Sequence, residues 1–209
     1  MGKQLINVMV DIETTGIKPG CGIWQIGACT SINGAFITFD EVINPNVINQ
    51  DVFKSDSNTI KWQYENNLKN YQAAFTNGKY SMEVLLLRFV DWLDQLKATD
   101  ADLAIWCKGT DFDFPILEYA FKVYDIITPW KYSQVRDLRT LCKVLDSPVP
   151  YFPGAHDALF DAIHQYKHLT TLLARINTHG GDSAVPVGDE VAVSGDTQPS
   201  DIGGYVKAS

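Results

Sequence analysis

The stretch Leu5-Ile6-Asn7-Val8-Met9-Val10-Asp11-Ile12-Glu13-Thr14-Thr15-Gly16 decides how the chain is read. Its first half, up to Asp11, is rich in β-branched and large apolar residues, the composition of a buried strand. Thr14-Thr15-Gly16 then turns the chain. Side chains alternate along a strand, so Asp11 and Glu13 emerge on the same side at the strand end. Two ionised carboxylates about 4 Å apart repel by on the order of 4 kcal/mol at an effective dielectric near 20. A cation between them removes that cost, and hard oxygen donors suit Mg2+ or Mn2+. The pair alone is equally compatible with two surface acids at a turn.

Outward from this stretch, Ile23 to Thr30 reads as a second strand. Asn33-Gly34 is a two-residue hairpin signal. Phe36 to Ile43 follows as a third strand, antiparallel to the second. A hairpin after an apolar first strand predicts a mixed sheet. Thr59 to Phe75 accommodates two short helices with Asn58 as an N-cap. Leu85, Phe89, Trp92, Leu93 and Leu96 form one stripe of a helix over residues 81–97, capped by Ser81. Leu103 to Cys107 reads as a fourth strand and Phe114 to Tyr124 as a helix, with Pro115 tolerated in its first turn. Trp130 to Val135 is expected to be a short fifth strand. Asp137 to Val144 and Ala158 to Ile176 read as helices.

Two later segments add acids at strand and helix ends. Gly109-Thr110-Asp111-Phe112-Asp113 directly follows the fourth strand, and ligands of open α/β sheets gather at such ends. Asp111 reads as a cap or a solvent-facing residue. His156-Asp157-Ala158-Leu159-Phe160-Asp161 opens the last helix. Asp157 suits an N-cap, and Asp161 falls among Ala158, Leu159, Ala162 and Ile163, so it faces inward. A buried carboxylate requires a metal, a partner or a proton. An imidazole, with an ordinary pKa of about 6.5, suits proton abstraction near neutral pH.

Asp-Ile-Glu-Thr-Thr-Gly, then Phe-Asp, then His-x4-Asp, in this order over residues 5–175, resembles the DEDDh branch of the DnaQ-like 3′–5′ exonucleases. Thr59-Ile60-x-Trp62, Pro129-Trp130-Lys131-Tyr132 and Arg136-Asp137-Leu138-Arg139-Thr140-Leu141 look like phage and prophage exonucleases of the exonuclease VIII type. The resemblance implies an α/β, RNase H-like fold: a five-stranded mixed sheet, second strand antiparallel, flanked by helices. It implies Asp11, Glu13, Asp113 and Asp161 as ligands of two Mg2+ or Mn2+ ions and His156 as general base. It implies Thr14, Thr15 and Gly16 as the turn that meets the terminal nucleotide. Where relatives often carry a neutral sequence, Lys108-Gly109-Thr110-Asp111 departs from the pattern. Asp111 would weaken binding of the substrate strand, and Lys108 would compensate.

The expected activity is hydrolysis at the 3′ end of DNA, releasing nucleoside 5′-monophosphates. An exoribonuclease is the alternative, and a non-catalytic single-strand or replication-partner module is a third reading. A phosphatase acting through the same acids is a fourth. Single strands are the expected partner, with Trp62 as a candidate base-stacking residue. Between residues 122 and 143, Lys122, Lys131, Arg136, Arg139 and Lys143 are interleaved with Tyr124, Trp130 and Tyr132. That pattern suits a phosphate track with stacking platforms, or a solvated helix face over core aromatics.

The 209 residues carry a net charge of −8, which on its own speaks against a phosphate partner. Half of it lies in residues 176–209, where Asp182, Asp189, Glu190, Asp196 and Asp201 stand against Lys207. The sign reverses locally where acids hold a metal. The expected division is a catalytic domain over 1–177 and a flexible acidic tail containing Gly and Pro over 178–209, with a short strand near Val185–Val193 as the alternative for the tail. Cys21, Cys29, Cys107 and Cys142 lack zinc or disulfide spacing. No apolar run has the length of a membrane span, and no secretory leader is evident. A cytoplasmic location is expected, in the host if phage-encoded.

Overall fold

The structure is a computed structural model, described here over residues 3–98, 100–150 and 156–179. Five strands form one sheet in the order β3-β2-β1-β4-β5. They are β1 (Gln4–Thr14), β2 (Ile23–Ile32), β3 (Ala35–Val42), β4 (Ala101–Cys107) and β5 (Val135–Asp137). β2 runs antiparallel to β1 and β3, whereas β4 is parallel to β1 and β5 is parallel to β4. The expected mixed sheet with an antiparallel second strand is therefore present. Ile32 pairs with Ala35 across Asn33-Gly34, and both turn residues take positive φ, as a tight hairpin requires.

Helices flank the sheet: α1 (Ser57–Asn66), α2 (Leu68–Asn77), α3 (Met82–Lys97), α4 (Asp113–Val123), α5 (Leu138–Val144) and α6 (Ala158–His179). The alternation of β1 divides the core. Ile6, Val8, Val10 and Ile12 join the larger apolar cluster with α3 and α4 residues such as Leu85, Phe89, Leu117 and Phe121. Met9 joins a second cluster with Leu138, Cys142, Ala162, Leu169 and Leu172 from α5 and α6. Asp11 continues the Met9 side, which aims it at α6. α6 lies very close to β2: a Cβ on Gly27 would fall 2.1 Å from the Ala158 carbonyl carbon. Gln25 secures the same junction by accepting from the Ala158 N–H at 3.2 Å and donating to Asp157 and Asp40 at 3.4 and 3.0 Å.

Three local expectations are corrected. β1 runs on beyond Asp11 to Thr14, because Glu13 still pairs with Gln25 before a bulge at Glu13/Thr14. Asp56, not Asn58, caps α1, accepting from the Thr59 N–H at 2.8 Å. The fifth strand begins at Val135 rather than Trp130: Trp130 is buried against Phe89, Phe114 and Phe121, and Tyr132–Gln134 form a 3₁₀ turn. The other expected caps are present, Ser81 for α3 and Asp157 accepting from the Phe160 N–H at 3.0 Å, and Asp137, read as part of its helix, instead caps α5. The acidic segment from residue 180 onward, including Val185–Val193, lies outside the described residues.

Candidate active site

A cleft of ≈ 830 Å³ opens over the C-terminal ends of β1 and β4. Asp11, Glu13, Asp113, His156 and Asp161 all line it, together with Thr14, Trp62 and Lys108. Thr15 and Gly16 do not. Thr15 is buried and holds the turn, its Oγ1 accepting from the Gly22 N–H at 2.9 Å. A Cβ on Gly16 would meet Cys21 Cβ at 2.7 Å, so packing demands glycine there. Asp111 is largely exposed, 4.0 Å from Arg139, the solvent-facing position expected for it.

Each acid is held by a neighbour from another element. Gln165, one turn beyond Asp161 on α6, donates to Asp11 Oδ1 at 2.9 Å. Gln63 on α1 donates to Glu13 Oε2 at 3.3 Å, and Asn67 donates to Gln63 Oε1 at 2.9 Å, which fixes the amide's orientation. Asp113 receives the Cys107 thiol and backbone hydrogen bonds at its own residue and at Ile12. Asp161 Oδ2 accepts the His156 N–H at 2.7 Å. His156 sits at φ 75°, in the left-handed region. Its carbonyl accepts from Asn70 at 3.1 Å, and its ring meets the Trp62 ring edge-on at 4.6 Å.

Crowding acids out of water pushes their titration upward. Burial raises Asp11 well above the usual carboxylate range, and the charges of Asp113, Asp161 and Glu13 add to it. Glu13 is pushed up to about 8, by burial first, with Gln63 opposing and Asp161, Asp157 and Asp113 adding. Burial pushes Asp113 up to about 7 against its hydrogen bonds and Arg139. Asp161 is raised by burial, opposed by the backbone and charge of His156 and by Lys108. Ligand atoms of Glu13, His156 and Asp161 lie within 4.8 Å of one another. The buried Gln165 Oε1, which lines the same cleft, has no hydrogen-bond partner among the described residues. Oxygen donors, a histidine and uncompensated acid repulsion together fit a hard divalent cation.

Sequence reasoning missed Gln63, Gln165, Asn67 and Cys107. Only the spacing of Gln165, four residues after Asp161 on one helix face, carried a signal.

Residues 6–173 match the model of the Rv2179c-like domain, described as a 3′-5′ exoribonuclease domain. The chain belongs to this family. It is accordingly a hydrolase, a 3′–5′ exonuclease, in agreement with the DnaQ-like DEDDh reading of its motifs. No curated protein matches the chain. Among solved structures, cell-death related nuclease 4 (CRN-4) superposes with a TM-score of 0.52 at 17% identity, over 86% of this chain and 67% of that one. The nuclease domain of 3′hExo, a DEDDh family member bound to rAMP, gives a TM-score of 0.51 at 12% identity, over 84% and 92%. At these identities both likenesses speak for the fold. They agree with the RNase H-like sheet described above for this Rv2179c-like domain. Among the described residues, no helix is long and apolar enough to cross a membrane.

Proposed function

We propose that the protein is a metal-dependent 3′–5′ exonuclease that trims RNA 3′ ends and releases nucleoside 5′-monophosphates. The observation that carries the chemistry is the convergence of Asp11, Glu13, Asp113, His156 and Asp161 on one cleft. The family description favours RNA over the DNA expected from the sequence. DNA stays the second reading, on the likeness of Thr59-Ile60-x-Trp62, Pro129-Trp130-Lys131-Tyr132 and Arg136-Asp137-Leu138-Arg139-Thr140-Leu141 to phage exonucleases.

The four acids would hold Mg2+ or Mn2+, two ions in this reading. Bound there, the metal supplies charge compensation at the phosphate and lowers the pKa of water. The chain's own residues do the rest. Gln165 and Gln63 keep Asp11 and Glu13 turned toward the cleft. The Asp161 carboxylate is pinned by the His156 N–H, so the acid and the imidazole keep a fixed relation. His156 takes the proton of the attacking water at a ring nitrogen, and the perpendicular contact with the Trp62 ring restricts how the imidazole rotates. The exposed indole of Trp62 offers the terminal base a surface to stack on. Lys108, in the same lining, places a positive charge beside Asp161 where the phosphate arrives.

Parallel digestion of 5′-labelled RNA and DNA of one sequence, single- and double-stranded, with Mg2+, Mn2+ or chelator, tests this reading. Stepwise loss of 3′ nucleotides from RNA, abolished by chelator, is expected. Faster DNA degradation would move the assignment to the second reading. Release of inorganic phosphate, or strand binding with no metal-dependent cleavage, would overturn it.

A further inference from the structure

A second groove of ≈ 450 Å³ runs out of the active-site cleft and shares Lys108, Arg139 and Val149 with it. Beyond the shared residues it is lined by Cys142, Lys143, Asp146, Ser147 and Pro148. Three cations therefore stand against one carboxylate on a chain whose overall charge is −8. Arg139 and Lys143 are four residues apart on α5, which puts both exposed side chains on one face of the helix. The buried Cys142 lies between them in sequence, and with Pro148 and Val149 it gives the groove an apolar floor.

Arg139 is held in place by a backbone carbonyl and only a long, exposed ion pair. Its Nη2 donates to the Lys108 carbonyl at 3.0 Å, while Asp111 pairs with it at 4.0 Å and is open to solvent. The guanidinium lies over Gly109, at φ 124°, where a Cβ would come within 2.7 Å of it. The other cations of the 122–143 segment do not line the groove. Arg136 folds back onto the carbonyls of Ser133 and Val135 at 2.6 and 2.8 Å.

We propose that this groove carries the strand 5′ of the scissile phosphate, its backbone phosphates tracked by Lys108, Arg139 and Lys143 and its sugars resting on the apolar floor. The inference rests on the exonuclease reading above. An enzyme that removes a 3′ nucleotide holds that nucleotide in the catalytic cleft, so the remainder of the strand must leave through an opening. This groove is contiguous with the cleft and basic. Cationic side chains on a backbone bind without reading sequence, so trimming should be length-dependent and sequence-tolerant.

Lys143 lines only the outer groove, so Lys143→Gln separates strand tracking from chemistry. On a single strand of about ten nucleotides, KM should rise roughly 3- to 10-fold at unchanged kcat. The slope of log binding against log salt should fall by about 0.7 for each phosphate of a single strand that no longer meets a cation. A dinucleotide should be cleaved at the parental rate and KM. Lys143→Glu should enlarge the long-strand effect, and its melting temperature checks that the fold is intact. Parental KM and salt slope on the long strand for both variants would overturn the groove while leaving the exonuclease reading standing. An equal loss on dinucleotide and long strand would overturn it as well. A parent protein that cleaves no strand with either metal would sink the exonuclease reading and this inference together.

Discussion

Replacing Glu13 by glutamine should stabilise the metal-free protein, and the gain should grow with pH. Glu13 is 7% exposed and its carboxyl is pushed from 4.5 to about 8. Because the folded value lies above the unfolded one, the folded state holds the proton more tightly. Below about pH 4.5 the group is protonated in both states and contributes nothing. As pH rises from 4.5 toward 8, the unfolded chain releases its proton first and stability is lost. At 1.36 kcal/mol for each pH unit, the loss reaches about 2 kcal/mol at pH 6 and about 4 to 5 kcal/mol at pH 8. Glutamine removes the charge yet keeps an oxygen to accept from Gln63 Nε2, which now donates at 3.3 Å. For a domain of this size each kcal/mol moves the melting temperature by roughly 2–4 °C. Relaxation and water entry reduce the gain, so a rise on the order of 5–15 °C at pH 8 with chelator is expected. At pH 5 the difference should shrink to within about 2 °C. Scanning calorimetry of parent and Glu13→Gln across this pH range measures it. A variant less stable than the parent at pH 8, or a difference independent of pH, would refute the picture of Glu13 as a carboxylate held against its own charge.

Further outcomes follow from the same geometry. Millimolar Mg2+ or Mn2+ should raise the parent's melting temperature, by about 2.7 kcal/mol of stability at a hundredfold excess over Kd, and chelator should reverse it. Because the acids must lose protons to bind, the shift should be larger at pH 8 than at pH 6; an absent shift counts against the metal site. Asp161→Asn should keep the fold by circular dichroism and lose most turnover. His156→Ala should lose about 10²- to 10⁴-fold in kcat near neutral pH and recover part of it at alkaline pH, where hydroxide replaces the base. Gln63→Leu should weaken metal affinity roughly 10- to 100-fold in calorimetric titration, because Glu13 loses the donor that orients it. Gly27→Ala should lower the melting temperature by several degrees and turnover with it, since the new methyl pushes α6, which carries Asp161 and Gln165, off β2.

Much of this was legible in the linear chain because it depended on short-range rules. The two-residue turn at Asn33-Gly34 set the hairpin, and the stripe from Leu85 to Leu96 set α3. Strand alternation placed Asp11 and Glu13 on one side of β1. Asp11, Glu13, Asp113, His156 and Asp161 line one cleft because each lies at or near the end of an element whose type was readable. What escaped depends on pairings between distant segments. No local pattern tells that Gln63 reaches Glu13, 50 positions away, or that Gln165 reaches Asp11, 154 away. The aromatic–basic segment after residue 122, open to two readings in the sequence, divides between them. Trp130 serves the core, Arg136 binds its own turn, and only Arg139 and Lys143 face the groove. Of the segment Thr59-Ile60-x-Trp62, Thr59 and Trp62 reach the cleft, while Ile60 packs against the core.

The left-handed backbone of His156 sets two demands on one position at odds. An L side chain there costs on the order of 1 kcal/mol that glycine would not incur. A library screened only for heat resistance should therefore drift toward glycine at this site and yield sturdier but inert molecules. A library screened for turnover should retain the imidazole and tolerate the weaker fold, so sequencing survivors from both would expose the conflict at a single codon.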